Sequence, residues 1–175
     1  MLNNKITVVG GAGHIGLPLS IVFANKGFDV SVLDTNLETV KLVKKGIMPF
    51  KEKDGPKNLR KALKKKISFY TEPSDFITDS TIVITVGTPV DEFLNPDMGQ
   101  VKNCIDSLMP YIKKGQLIIL RSTVYPGTSN WLYKYLSHKK CDVAFCHERV
   151  IQGYTFDEIE QLPQIIAASS KKNLL

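Results

Sequence analysis

Short apolar runs alternating with helical repeats set the pattern of this chain. Residues 5–9, Lys5-Ile6-Thr7-Val8-Val9, are a partly β-branched run ending at Gly10-Gly11, which predicts a buried parallel strand. Over 14–26, Ile15, Leu17, Leu19, Val22 and Phe23 recur at helical spacing, and Lys26-Gly27 supplies a last-turn cation and a terminating glycine. A second strand follows at 29–33, ends at Asp34, and gives way to a helix capped by Asn36 that runs to about 45. Residues 46–55 read as irregular, 57–65 as a basic helix and 67–70 as a third strand, with Ser74-Asp75 opening a short helix. The apolar run 80–86 is a fourth strand broken by Gly87-Thr88-Pro89, and 91–99 is a loop. A helix over 100–112, a strand over 116–120, a helix over 129–136 and a strand over 142–145 complete the alternation. After Glu148 the pattern weakens and predicts no closing element.

Strands alternating with helices predict an α/β fold, a doubly wound parallel sheet in the order 3-2-1-4-5-6 with helices on both faces. A dinucleotide-binding domain over 1–150 and a tail over 151–175 are the expected divisions of the 175 residues.

Composition narrows the class. With 43% hydrophobic and 23% charged residues, and no apolar run long enough for a bilayer, the chain reads as a globular protein without a membrane role. Its first residues lack a signal-peptide pattern, so a cytoplasmic location is expected. Cys104, Cys141 and Cys146 are odd in number without CxxC spacing, and His138 and His147 lack ligand spacing, so neither disulfides nor a metal site are expected. The net charge of +6 is concentrated: residues 41–66 carry eleven Lys or Arg against two acids, Glu52 and Asp54. As a single basic segment without a known nucleic-acid motif, this reads as a solvated helix face rather than a nucleic-acid surface.

Chemistry enters at Gly11-Ala12-Gly13-His14-Ile15-Gly16, a GxGxxG motif between a strand and a helix. Gly11 allows a tight turn, Gly13 lets a pyrophosphate approach the backbone, and Gly16 lets the helix pack close, while the helix N-terminus faces the phosphates. His14 and Ile15 occupy the phosphate-facing turn, and His14 is expected to pack beside the cofactor. Asp34, ending the second strand, is placed to bond the adenosine ribose hydroxyls and to repel a 2′-phosphate, which favours NAD over NADP. These features make the sheet Rossmann-like.

Ligands in such sheets bind at the carboxyl ends of the strands, where Gly87-Thr88-Pro89-Val90 and Arg121-Ser122-Thr123-Val124-Tyr125-Pro126-Gly127-Thr128 fall. Together with Gly16-Leu17-Pro18, Asn95-Pro96-Asp97 and Cys146-His147-Glu148-Arg149, they make a chain that resembles the UDP-sugar 6-dehydrogenase family from Lys5 to about Ile166. The resemblance implies an NAD-dependent oxidation of a sugar C6 alcohol through an aldehyde to a uronic acid, for polysaccharide biosynthesis. It implies that Thr88 lies against the cofactor and that Thr123 lies beside the nicotinamide and a catalytic water. Glu148, by the same resemblance, handles protons and takes part in hydrolysing a thioester intermediate. Thr123 and Glu148 are thus the candidate catalytic residues, and Gly11, Gly13, His14, Ile15, Gly16, Asp34, Thr88 and Thr123 the candidate NAD contacts. The stretch 91–97 looks more like the N-acetylated-hexosamine branch than the UDP-glucose branch.

Two departures stand out: His147 where the family has proline, and Ala167-Ala168 where it has a glycine pair. The family's nucleophilic cysteine, catalytic lysine and most UDP-sugar contacts belong to a linking helix and a second domain. The UDP-sugar and a homodimer contact are therefore expected to involve that further part. A freestanding NAD-binding regulatory module, or the first domain of another two-domain dehydrogenase, are the competing readings of the glycine motif alone.

Overall fold

The computed structural model describes residues 4–74, 77, 81–88 and 98–169. Five consecutive parallel pairings build the sheet. Strand β1 (Lys5–Val9) lies between β2 (Asp29–Leu33) and β4 (Thr81–Ile84), β2 pairs with β3 (Ile67–Tyr70), and β4 continues through β5 (Leu117–Leu120) to β6 (Asp142–Phe145). The order 3-2-1-4-5-6 matches the sequence expectation and gains a seventh strand at the β6 edge.

Alternating side chains put two apolar clusters on opposite faces. Val8, Val83 and Ile119 face one cluster with Leu17 and Ile21 of helix α1 (Gly16–Asn25), while Val9, Ile82, Ile84, Ile118 and Leu120 face the other. The second cluster is closed by Val101 and Ile105 of α4 (Gly99–Leu108) and Leu132 of α5 (Thr128–Tyr135). Both faces being covered explains why these strands read as apolar runs rather than as simple alternation.

Asn36 caps α2 (Leu37–Lys44) as expected, its side chain accepting from the Thr39 amide at 3.0 Å. Helix α3 (Gly55–Ala62) starts earlier than 57, because Pro56 sits in its first turn, where a missing N–H costs nothing. Helix α4 stops at Leu108, short of the expected 112; Pro110 has no N–H to continue the ladder. The helix expected to open at Ser74-Asp75 falls mostly outside the described residues, as do 91–97 of the loop expected over 91–99, whose last residue, Gly99, instead begins α4.

Beyond Glu148 the sequence predicts no closing element, and the fold provides two. A short helix α6 (Thr155–Glu158) packs Phe156, with Ile159 just past its end, against the α1-side cluster, and β7 (Ala167–Ala168) pairs antiparallel with β6. Four- and two-residue elements carry too little periodicity to be seen in a sequence. Among the described residues no helix is long and apolar enough to cross a membrane.

Candidate functional site

The turn from β1 into α1 is built by close packing. The left-handed conformation falls at Gly10 (φ 73°) rather than at Gly11. Gly11 is required for space: a Cβ there would come within 2.6 Å of the Val32 side chain and 2.8 Å of the Val8 carbonyl. At Gly16 a Cβ would meet the Gly10 carbonyl oxygen at 2.3 Å, so only glycine lets α1 approach the strand end. Gly13 differs from both: its Cβ would meet only the Gly10 oxygen, at 3.4 Å. Its open side is where a ligand's phosphates can reach the backbone at the start of the helix.

Asp34 organises the same turn. Its Oδ2 accepts from the Ala12 amide and its Oδ1 from the Asn36 amide, both at 2.9 Å. The carboxylate therefore ties the glycine loop to the start of α2. It also lines a cleft of about 390 Å³ bounded by Gly10, Thr71, Val86, Asn103 and Cys104 at the carboxyl ends of β1, β2 and β4. A glycine cradle open at Gly13 and an acid beside an adjoining cleft fit a dinucleotide. His14 is exposed and stacks on Phe50, ring centroids 4.2 Å apart, while Ile15 immediately precedes α1.

The ends of β4 and β5 meet as expected. The Thr88 hydroxyl donates to the Thr123 carbonyl at 2.6 Å, and the Ser122 hydroxyl to the Val86 carbonyl at 2.6 Å, so the two strand-end motifs are stitched side to side. Glu148 follows β6, with its amide donating to the Arg121 carbonyl at 3.0 Å. Its side chain is 3% exposed and ion-paired to Arg121, 7% exposed, while its other oxygen accepts from the Arg149 and Val150 amides. Arg121 also donates to the Cys146 Sγ at 3.0 Å and to Gln164 Oε1 at 2.7 Å. His147 stacks on Phe145 at 5.4 Å.

Arg121 and Thr85 are the residues that sequence reasoning left without a role. Arg121 was visible as a charge directly after the apolar run 117–120, and a buried charge needs a partner. Thr85, buried, donates to the Val9 carbonyl at 2.8 Å and lies against Gly10 and Gly16, so it braces the glycine turn from β4. Burial pushes the Cys104 thiol up to about 12 and raises that of Cys141. No group of three metal-ligating side chains gathers among the described residues.

This combination, a doubly wound sheet with a glycine-lined turn and an acid at the second strand's end, defines a dinucleotide-binding domain. The chain belongs to the UDP-glucose/GDP-mannose dehydrogenase family, and residues 4–174 match that family's NAD binding domain. It is 34% identical over 179 aligned residues to the UDP-N-acetyl-D-mannosamine dehydrogenase of Methanocaldococcus jannaschii, covering 98% of this chain and 40% of that relative. The structure of UDP-D-ManNAc dehydrogenase from Pyrococcus horikoshii superposes with a TM-score of 0.90 at 29% identity, covering 97% of this chain and 43% of the other. The UDP-N-acetyl-mannosamine dehydrogenase Cap5O of Staphylococcus aureus gives a TM-score of 0.85 at 30% identity over 95% of this chain and 42% of that one. The chain thus spans about two fifths of the length of these relatives.

Proposed function

We propose that this chain holds the cofactor in a nucleotide-sugar 6-dehydrogenase that oxidises the C6 alcohol of a UDP-sugar to a uronic acid. The reading is supported by the Thr88–Thr123 hydrogen bond between the ends of β4 and β5, with Glu148 following the neighbouring β6 and bonded to Arg121, on the sheet that carries a glycine turn open at Gly13. A UDP-N-acetylhexosamine such as UDP-N-acetylmannosamine is favoured as substrate by the relatives' activity. Polysaccharide biosynthesis, a cytoplasmic location and a homodimer of the longer protein complete the proposal. The segment after 150 leads toward the linking helix and second domain that carry most UDP-sugar contacts.

In this reading Gly11, Gly13, His14, Ile15 and Gly16 receive the cofactor's pyrophosphate, and Asp34 receives the adenosine ribose hydroxyls. NAD, when bound, supplies the hydride acceptor. Thr88 fixes the Thr123 strand end against the nicotinamide side, so that the Thr123 hydroxyl orients a water at the reacting carbon. In hydrolysis of the thioester intermediate the water oxygen bonds to the acyl carbon and the carbon–sulfur bond breaks, the sulfur leaving as a thiolate of the further domain. Glu148 accepts the proton released, and Arg121 holds its carboxylate at the carboxyl end of β6.

Calorimetric titration of the 175-residue chain with NAD and NADP tests the cofactor half: NAD binds, and Asp34→Ala weakens it. Equal affinity for NADP would overturn the role given to Asp34. For the chemical half, the longer protein reduces NAD with UDP-N-acetylmannosamine, and Glu148→Gln lowers kcat by at least about a hundredfold. Undiminished turnover in that variant would remove Glu148 from the chemistry.

A further inference from the structure

The basic segment 41–66 contains two acids, and one of them is almost completely buried. Glu52 is 9% exposed, and its carboxylate accepts three hydrogen bonds from a stretch about a hundred residues away. The Thr155 amide donates to Oε1 at 2.7 Å, and the Gly153 amide and Thr155 hydroxyl donate to Oε2 at 3.1 Å each. Two further contacts close the same seam: the Lys53 amide donates to the Gly153 carbonyl at 2.9 Å, and the Lys53 ammonium pairs with Asp157 at 2.6 Å. A carboxylate held by backbone N–H groups fixes geometry tightly, because each bond to a charged acceptor is stronger than its neutral counterpart.

What Glu52 joins matters more than how firmly it holds. Two residues before it, Phe50 stacks on His14 in the glycine turn. On the far side, Gly153 and Thr155 follow within a few residues of Glu148. One short loop therefore touches both the turn that receives the dinucleotide and the segment that bears the buried Glu148. We infer that Glu52 is a positioning residue that couples occupancy of the dinucleotide turn to the placement of the 148–155 segment. This inference rests on the cofactor reading given above, since it needs NAD to bind against Gly13 and His14.

Coupling of this kind is reciprocal, so breaking the link weakens cofactor binding and frees the segment together. Glutamine at position 52 keeps the shape but replaces one acceptor oxygen by a donor, which cannot satisfy both backbone amides and the Thr155 hydroxyl. Phe50→Leu cuts the other end of the link and leaves the carboxylate and its three bonds in place.

The test is amide NMR of the 175-residue chain during titration with NAD. In the wild type, the Gly13 and Ile15 amides and the Gly153 and Thr155 amides shift together with one dissociation constant. In Glu52→Gln and in Phe50→Leu, the Gly13 and Ile15 shifts persist with affinity about fivefold weaker, the lower end of ordinary coupling, while the response at Gly153 and Thr155 is lost. Glu52→Asp, with a carboxylate still present, restores part of the response, which a merely structural role would not do. Shifts at Gly13 without any at Gly153 and Thr155 in the wild type would overturn the coupling while leaving the cofactor reading intact. Retention of the full distal response in both variants would overturn it equally. No shift at Gly13 would instead strike the cofactor reading, and the coupling with it.

Discussion

At the residue scale the glycines of the turn separate by what surrounds them. Gly11 is walled by the Val32 side chain and the Val8 carbonyl, and Gly16 by the Gly10 and Gly11 backbone and the Thr85 hydroxyl, so alanine at either forces the turn or α1 to move. Gly13 has room for a methyl group, and the methyl would stand where phosphates approach. Gly16→Ala is therefore expected to lower the thermal midpoint markedly, whereas Gly13→Ala keeps the wild-type midpoint and loses NAD binding in calorimetry. Arg121 gives a second contrast. Replacing it with Met leaves the Glu148 carboxylate buried without its cation, a change that ordinarily costs about 3–5 kcal/mol. Urea unfolding of Arg121→Met should show a loss of that order with an unchanged slope.

Individual elements owe their ends to identifiable groups. The Asn36 side chain satisfies one orphan amide at the start of α2, so Asn36→Ala is expected to cost about 1 kcal/mol, read from the urea midpoint. Between helices, Asp106 bridges α4 to α5: it accepts from the Tyr135 hydroxyl at 2.5 Å and pairs with Lys102 at 2.5 Å. The hydrogen bond from Lys102, then that from Tyr135, holds the Asp106 carboxyl below its usual value. A depressed carboxyl stabilises the fold above its unfolded value and loses that effect as pH falls through the folded one. Cys104 works in the opposite sense. Its thiol is raised from an ordinary 9.0 to about 12 by burial, so the folded chain holds that proton more tightly than the unfolded chain does. Its contribution is complete below 9 and is lost as pH climbs toward 12, and a thiol reagent at about pH 8 should label Cys104, half-buried on the cleft wall and still holding its proton, far more slowly than a free thiol.

Across the whole molecule, the chain's strand periodicity and glycine motif were enough to foresee the sheet order, and with it that Asp34, Thr88 and Thr123 would stand at the carboxyl ends of strands. The seam between 50–53 and 153–157 was not. Glu52 looked like a stray acid in a basic face, and nothing local in the sequence pairs it with Gly153 and Thr155. The pairing of Arg121 with Glu148 was hidden for the same reason: it joins the ends of β5 and β6 across an intervening helix.

The sequence by itself determined which runs become strands, how they alternate with helices, and which turn must be glycine, because each depends on periodicity or backbone freedom within a few residues. Tertiary structure alone decided that left-handed geometry falls at Gly10 while Gly11 and Gly16 serve close packing. It alone decided that the segment after Glu148 folds back as a seventh strand, and that two buried carboxylates, Glu52 and Glu148, find their partners far along the chain. Those choices follow from burial: a charge taken out of water must meet a donor, and only the folded chain sets which donors stand within reach.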